Sequence, residues 1–290
     1  MGIEVSDIAL MPQEILHNRY QIQEIHYLGQ MTIVYFGWDM QKNRQVVIKE
    51  FMPYRVANRD MDGKTVICRS QAHDRHFQEA KIAFQEECRF IRKLKKLKKP
   101  YAGCVVQYLD RFEENGTEYL ITEKLQGKSL QDYIENGEDF SIRDTMRYLV
   151  AIVRQIHKKG IIHCDIKPSN IILEENGRVI LVDFGSACYK KAKKSKLAFV
   201  SRGYSAPELY QDGRIDCKTD IYSIGAVLYY MLTDYQLPAP NDYEEEEELP
   251  AISEFIQIPS ALEKVIMKTL HRDRRKRLGS LLWLQIILNN

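Results

Sequence analysis

Four polar residues stand in a pattern that could do chemistry. Asp165, Lys167 and Asn170 lie within "HCDIKPSN" (163–170), and Asp183 opens "DFG" (183–185), 18 residues after Asp165. Phosphoryl transfer needs a carboxylate to orient a hydroxyl and accept its proton, a cation near the moving phosphate, and oxygen ligands for Mg²⁺. Asp165 can be the carboxylate, and Lys167 can reach the same phosphate. Asn170 and Asp183 carry the hard oxygen donors that Mg²⁺ prefers. The intervening "IILEENGRVILVDFG" reads as two short strands around an Asn-Gly turn, a hairpin that would bring the two oxygen donors together. A lone DFG recurs by chance, but an H-x-D-x-K-x-x-N box at this distance from one is specific. Polar residues among apolar strands also need a reason, because burying them without partners is costly.

The elements that must position these residues change character along the chain. From Tyr20 to about Leu125 it reads as strands with one inserted helix. "RQVVIKEF" (44–51) is apolar and β-branched, as a buried strand would be. "HFQEAKIAFQEECRFIRKLKKL" (76–97) places Phe77, Ile82, Phe84, Cys88, Ile91 and Leu94 near helical spacing. "VVQYLDRF" and "EYLITEKL" flank the turn signal "EENG". Beyond a join near residues 124–130 the chain turns helical. Residues 142–160 form a long apolar-periodic segment stopped by Gly160, and 219–234 and 260–273 follow as further helices. Strands followed by helices make an α+β protein.

Composition sets the outer bounds. The chain has 290 residues, 44% hydrophobic and 28% charged, with a formal net charge of +2. That length suits one large domain or two lobes. The charge gives no global field that would point to nucleic acid or a membrane. The six cysteines, Cys68, Cys88, Cys104, Cys164, Cys188 and Cys217, form no C-x-x-C pair. They read as reduced thiols of a cytoplasmic protein. The start, "MGIEVSDIALMPQE", lacks the basic and apolar regions of a signal peptide. Its Gly2 and Ser6 match the loose myristoylation pattern, which we read as chance. "LLWLQIIL" (281–288) is too short to span a bilayer.

With these residues in place, the chain resembles the protein kinase family. It is most similar to the serine/threonine branch, and within that to the eukaryotic-like kinases of bacteria. "VVIK" (46–49) resembles the strand bearing the α/β-phosphate lysine, here Lys49, and Glu87 its ion-pair partner. "ITEKL" (121–125) resembles the adenine-binding hinge, with Thr122 as gatekeeper and Glu123 and Leu125 beside the nucleotide. "SAPE" (205–208) resembles the motif closing the activation segment, and "DIYSIG" (220–225) the aspartate-bearing helix beneath the catalytic loop. Arg277 resembles the arginine that pairs with Glu208. His163 takes the place of a packed core histidine, with Phe184 and Ile91 as its neighbours.

The resemblance covers residues 20–288 and implies a bilobal fold. Residues 1–19 would be an N-terminal extension, 20–125 the strand-rich N-lobe and 126–290 the helical C-lobe. It implies ATP held by Leu28, Gly29, Val34, Val47, Lys49, Glu87, Glu123, Leu125, Asn170, Ile172 and Asp183. Mg²⁺ would sit on Asn170 and Asp183. Asp165 and Lys167 would be catalytic, acting on a protein serine or threonine. Lys167 is the residue that favours that branch over the tyrosine kinases.

The chain departs from the family in three places. In "LGQMTIVYFGWD" (28–39) the phosphate-covering loop has lost two residues, including its second glycine, and Thr32 stands where the third would be. Glycines there let backbone N–H groups approach phosphate oxygens, so we expect weaker nucleotide binding. Cys164 replaces the usual arginine, so a phosphate on the activation segment cannot be read by that route. Residues 54–70, with the turn "DMDG", are an insertion expected to form an extra hairpin. Two charged stretches stand apart. "YKKAKKSK" (189–196) would favour an acidic substrate or partner, or be merely a solvated loop, and Glu244 to Glu248 reads as a solvated acidic loop.

Two rival readings remain. The shortened loop would suit a pseudokinase that only binds partners, but retention of Lys49, Asp165, Asn170 and Asp183 argues against it. A kinase-fold enzyme acting on a small molecule is disfavoured by "SRGYSAPE" (201–208), which resembles a peptide-docking platform.

Overall fold

The computed structural model describes residues 8–97, 101–190, 200–211, 213–239, 242 and 249–289. The myristoylation match, residues 191–196 of the basic stretch and the acidic run 244–248 lie outside them. The chain divides into two compact units, residues 1–95 with 106–125 and residues 96–105 with 126–290.

The first unit carries β1 (Ile15–Leu16), β2 (Tyr20–Leu28), β3 (Thr32–Asp39), β4 (Arg44–Phe51), β5 (Ala57–Arg59), β6 (Val66–Cys68), α1 (Gln71–Leu94), β7 (Tyr108–Glu114) and β8 (Thr117–Glu123). Six strands form one antiparallel sheet in the order β1-β2-β3-β4-β8-β7. Asn115 and Gly116 join β7 to β8 with φ of 51° and 68°, the left-handed pair that a tight hairpin needs. The helix buries Phe77, Ala80, Phe84, Glu87, Cys88, Phe90, Ile91 and Leu94. Phe77 and Phe84 pack on Phe51 of β4, with ring centroids 5.3 and 5.7 Å away. Ile82, counted on the apolar stripe from the sequence, is 57% exposed. Five residues from Phe77, it falls on the opposite side of a 3.6-residue turn.

The insertion forms the expected hairpin, β5 paired with β6. A buried charge network fixes it. The Arg59 guanidinium donates to both oxygens of Glu50 at 2.6 and 2.7 Å. The Tyr35 and Tyr119 hydroxyls donate to the same carboxylate. Residues 8–10 join the core as well. Leu10 is 1% exposed, and its N–H donates to the Tyr35 hydroxyl.

The second unit carries β9 (Gly127–Ser129), α2 (Leu130–Glu135), α3 (Ile142–Lys158), β10 (Ile161–Ile162), β11 (Ile171–Glu174), β12 (Val179–Leu181), β13 (Cys188–Tyr189), α4 (Pro207–Tyr210), α5 (Cys217–Thr233), α6 (Ser260–Thr269) and α7 (Leu282–Asn289). β12-β11-β9 make one small sheet and β10-β13 a second. Helix α5 is buried along most of its length, from Thr219 to Tyr229. Helix α3 buries Met146, Leu149, Val150, Ile152, Val153 and Ile156. It ends as the sequence predicts, with Gly160 at φ 76° turning the chain into β10. Among the described residues no helix is long and apolar enough to cross a membrane.

Candidate active site

In the first unit the site begins on β4, which lies between β3 and β8. Side chains alternate along a strand, so Lys49 and Glu50 point to opposite faces. Glu50 enters the Arg59 network. The Lys49 ammonium instead meets Glu87 on α1, with Nζ 2.7 Å from Oε1. Glu87 sits on the buried stripe of α1, only 3% exposed, and a carboxylate placed there needs a cation. Val34 pairs across with Lys49 and Thr122 with Val47. With the period-2 alternation of β4, this sets Val34, Val47, Lys49 and Thr122 on one face of the sheet. Glu123 is tied to Gln107 through two bonds. Its N–H donates to the Gln107 carbonyl, and its side chain accepts the Gln107 N–H. Leu125 follows, half-buried.

Residues 28–33 form a hairpin with a very tight tip. Leu28 pairs with Ile33, and Gly29 N–H donates to the Thr32 carbonyl at 2.9 Å. Only Gln30 and Met31 make the turn. The Met31 carbonyl is itself taken by the Met52 N–H at 2.9 Å. Gly29's N–H is therefore committed to closing the hairpin.

In the second unit Asp165 is held from three sides. The Ser201 hydroxyl donates to Oδ1 at 2.6 Å. The Lys167 ammonium lies 3.0 Å from Oδ2 and donates to Ser201 Oγ at 3.0 Å. Asn170 Nδ2 donates to the Asp165 carbonyl at 2.8 Å and to Oδ2 at 3.1 Å. Val182 N–H donates to the Asn170 carbonyl at 3.0 Å, which sets Asp183 beside Asn170. The expected hairpin does this: Ile171 of β11 pairs with Leu181 of β12. Asp183 is exposed and adopts φ 56°. Cys164, at φ 66°, is also left-handed. Such backbone strain in non-glycine residues gathers at functional sites. Ile172 lies half-buried on β11.

A polar frame beneath the loop explains its shape. Asp220 of α5 is completely buried. It accepts the N–H groups of His163 at 2.9 Å and Cys164 at 2.8 Å, and His157 Nε2 approaches it at 2.7 Å. Burial pushes the Asp220 carboxyl up, but the hydrogen bond and charge of His157, with His163, hold it below the ordinary range. Burial pulls the His157 imidazole down, and the bonds to Asp220 and Cys217 outweigh that and raise it to about 9. His163 sends Nε2–H to the Val182 carbonyl and accepts the Asp165 N–H on Nδ1. Its ring packs on Phe184 at 4.7 Å, one of the two neighbours that the resemblance implies.

Arg277 and Glu208 form the expected buried pair, with two bonds of 2.8 and 3.0 Å. Ser201 is the contact residue that sequence reading missed. The signal was present in "SRGYSAPE", which was assigned to substrate docking as a whole rather than to a hydroxyl on Asp165.

The chain belongs to the protein kinase family, whose domain matches residues 28–287. It is 27% identical over 282 residues to a probable serine/threonine-protein kinase of Clostridium acetobutylicum, covering 91% of this chain and 38% of that protein. A probable serine/threonine-protein kinase of Clostridium perfringens is 27% identical, with 90% of this chain and 36% of that protein covered. The chain thus spans less than two fifths of these two relatives. Among solved structures, one titled "PpkA-294 apo form" has a TM-score of 0.80 and 25% identity, covering 97% of this chain and 99% of that one. The family match and the solved structure agree on an α+β protein kinase fold.

Proposed function

We propose that this chain is an active protein serine/threonine kinase domain, moving the γ-phosphoryl group of ATP to a protein hydroxyl. The observation that carries the reading is the set of bonds on Asp165. Ser201, Lys167 and Asn170 fix both carboxylate oxygens, as a residue that must orient a hydroxyl and take its proton requires. Lys167 stays close enough to that carboxylate to neutralise charge developing on the phosphoryl group.

Lys49, positioned by Glu87, is assigned to the α- and β-phosphates. Leu28, Val34, Val47 and Ile172 are assigned to the adenine, with Glu123 and Leu125 along its edge and Gly29 near the phosphates. The donor chemistry fits Mg²⁺. Among the described residues no cluster of three or more His, Cys, Asp or Glu forms a metal cage, and Mg²⁺ ordinarily takes one or two protein oxygens beside substrate phosphates. The Asn170 amide and Asp183 carboxylate would supply those oxygens. Bound there, the ion would neutralise phosphate charge. The substrate is a protein chosen through residues near Ser201, and cytoplasmic work suits the reduced thiols.

The test is phosphate transfer from labelled ATP with Mg²⁺ to the chain itself and to generic protein substrates. Wild type should transfer label, and Asp165→Asn and Asp183→Ala should not, with folding unchanged by circular dichroism. Asp183 is exposed, so its loss removes no core packing. Equal labelling by all three proteins would refute the assignment. Nucleotide binding without transfer by wild type would favour the partner-binding pseudokinase that the tight hairpin tip suggests.

A further inference from the structure

We propose that Cys164 and Cys188 are a disulfide-forming pair, closed by a peroxide and opened by a thiol reductant. The argument begins with β10 and β13. Their register sets Ile162 opposite Cys188, and Cys164 lies two residues past Ile162, beyond the end of the strand and at φ 66°. The two sulfurs lie 3.8 Å apart. A disulfide needs about 2.05 Å, so the bond requires the sulfurs to approach by about 1.8 Å. The Lys190 N–H to Gly160 carbonyl bond, 2.8 Å, holds the two segments together from the other end.

The two thiols differ in the way an oxidisable pair requires. Cys164 is 2% exposed, and its hydrogen bond with Cys188, then burial, push its thiol well above the ordinary value. Cys188 is half-buried and meets solvent first. Its thiolate attacks hydrogen peroxide, breaking the O–O bond to give a sulfenic acid and, with a proton, one water. The Cys164 sulfur then attacks the Cys188 sulfur. The S–O bond breaks, the Cys164 proton leaves with the hydroxyl as a second water, and the S–S bond forms. Two thiols are oxidised by two electrons and one peroxide is reduced to two waters. Cys217 packs against the same apolar cluster of Ile162, Cys164, Leu209 and Ile215, and is the competing partner that the test distinguishes.

The bond would tie the residue preceding Asp165 to the strand that follows "DFG". It needs no phosphate, and its readout does not depend on enzymatic activity. The test is peptide mapping of the folded chain after hydrogen peroxide, with free thiols blocked before trypsin. Trypsin separates the cysteines, because Cys164 falls in residues 160–178 (the Lys167–Pro168 bond resists cleavage) and Cys188 in 179–190. The expected product is these two peptides joined, lighter than their sum by two hydrogens and released by dithiothreitol. It should persist in Cys217→Ser, vanish in Cys188→Ser, and fall severalfold when peroxide is added in denaturant. Amide exchange at residues 161, 162 and 188–190 should slow in the oxidised chain. Joining of 179–190 to the Cys217 peptide or to a second molecule would overturn the proposal. So would oxidation ending at sulfinic acid, or a yield unchanged by denaturant.

Discussion

Alkaline pH should loosen the support beneath the 163–170 loop, because the His157–Asp220 contact depends on a proton. The imidazole rises from 6.5 to about 9 on folding. A group whose pKa is higher folded than unfolded stabilises fully below the unfolded value, and the effect disappears as pH climbs through the folded one. Each pH unit between the two is worth about 1.4 kcal/mol, so the interval of about 2.5 units amounts to roughly 3 kcal/mol. Against a typical total of about 5–15 kcal/mol that is a large share. His157→Gln keeps a donor toward Asp220 but cannot charge. Urea unfolding of both proteins, from about pH 6 to pH 10, isolates the effect, because every other titrating group is common to the two and cancels. Wild type should exceed the variant most near pH 6, and the gap should shrink to a plateau by about pH 10. Asp220→Asn should flatten the wild-type profile in the same window. A gap that stays constant, or widens with pH, would refute the reasoning.

Other outcomes follow from named contacts. Arg277 donates to Glu208 and to the carbonyls of His271, Lys218 and Arg272. Arg277→Ala should therefore cost about 3–5 kcal/mol by stranding a buried carboxylate, seen as a lower thermal midpoint; an unchanged midpoint would contradict it. Ser201→Ala removes a charge-assisted bond to Asp165 worth about 1.5–3 kcal/mol, so kcat should drop roughly tenfold to a hundredfold with KM for ATP little changed. Ser201→Thr should restore it, and a loss confined to KM would sink the positioning role. Inserting two glycines between Gln30 and Met31 should free backbone N–H groups for the phosphates. One such bond, offset by glycine's ordering cost, leaves about 1 kcal/mol, or roughly a fivefold lower KM for ATP. A higher KM would make the tight turn a working adaptation rather than a damaged cradle.

What was legible in the sequence was what short-range chemistry dictates. The "HCDIKPSN" box, the DFG, the hairpin between them and the strand bearing Lys49 are local strings, and their geometry follows from strand register and turn residues. The Asn115–Gly116 turn and the stop at Gly160 were readable for the same reason. Periodicity located α1 but drew it over 76–97 instead of Gln71–Leu94. The first turn, "QAHDR", carries no apolar stripe to mark it, and the run of lysines after Leu94 gave no stop.

What stayed hidden depends on pairs far apart in sequence. Ser201 reaches Asp165 across 36 residues and carried no signal of its own; Arg277 reaches Glu208 across 69 and was legible only through the family resemblance. His157 looks like any basic residue ending a helix until α5 sets the buried Asp220 against it. Glu50 alternates with Lys49 on one strand, and one carboxylate beside a lysine carries no label. Arg59 gives it a purpose by bringing the insertion down onto the sheet. The two side chains thus divide the work of β4. Lys49 turns to the helix that aims it, while Glu50 anchors the hairpin behind. Replacing Glu50 should then destabilise the sheet that presents Lys49, although Glu50 lies on the opposite face from the proposed phosphate site.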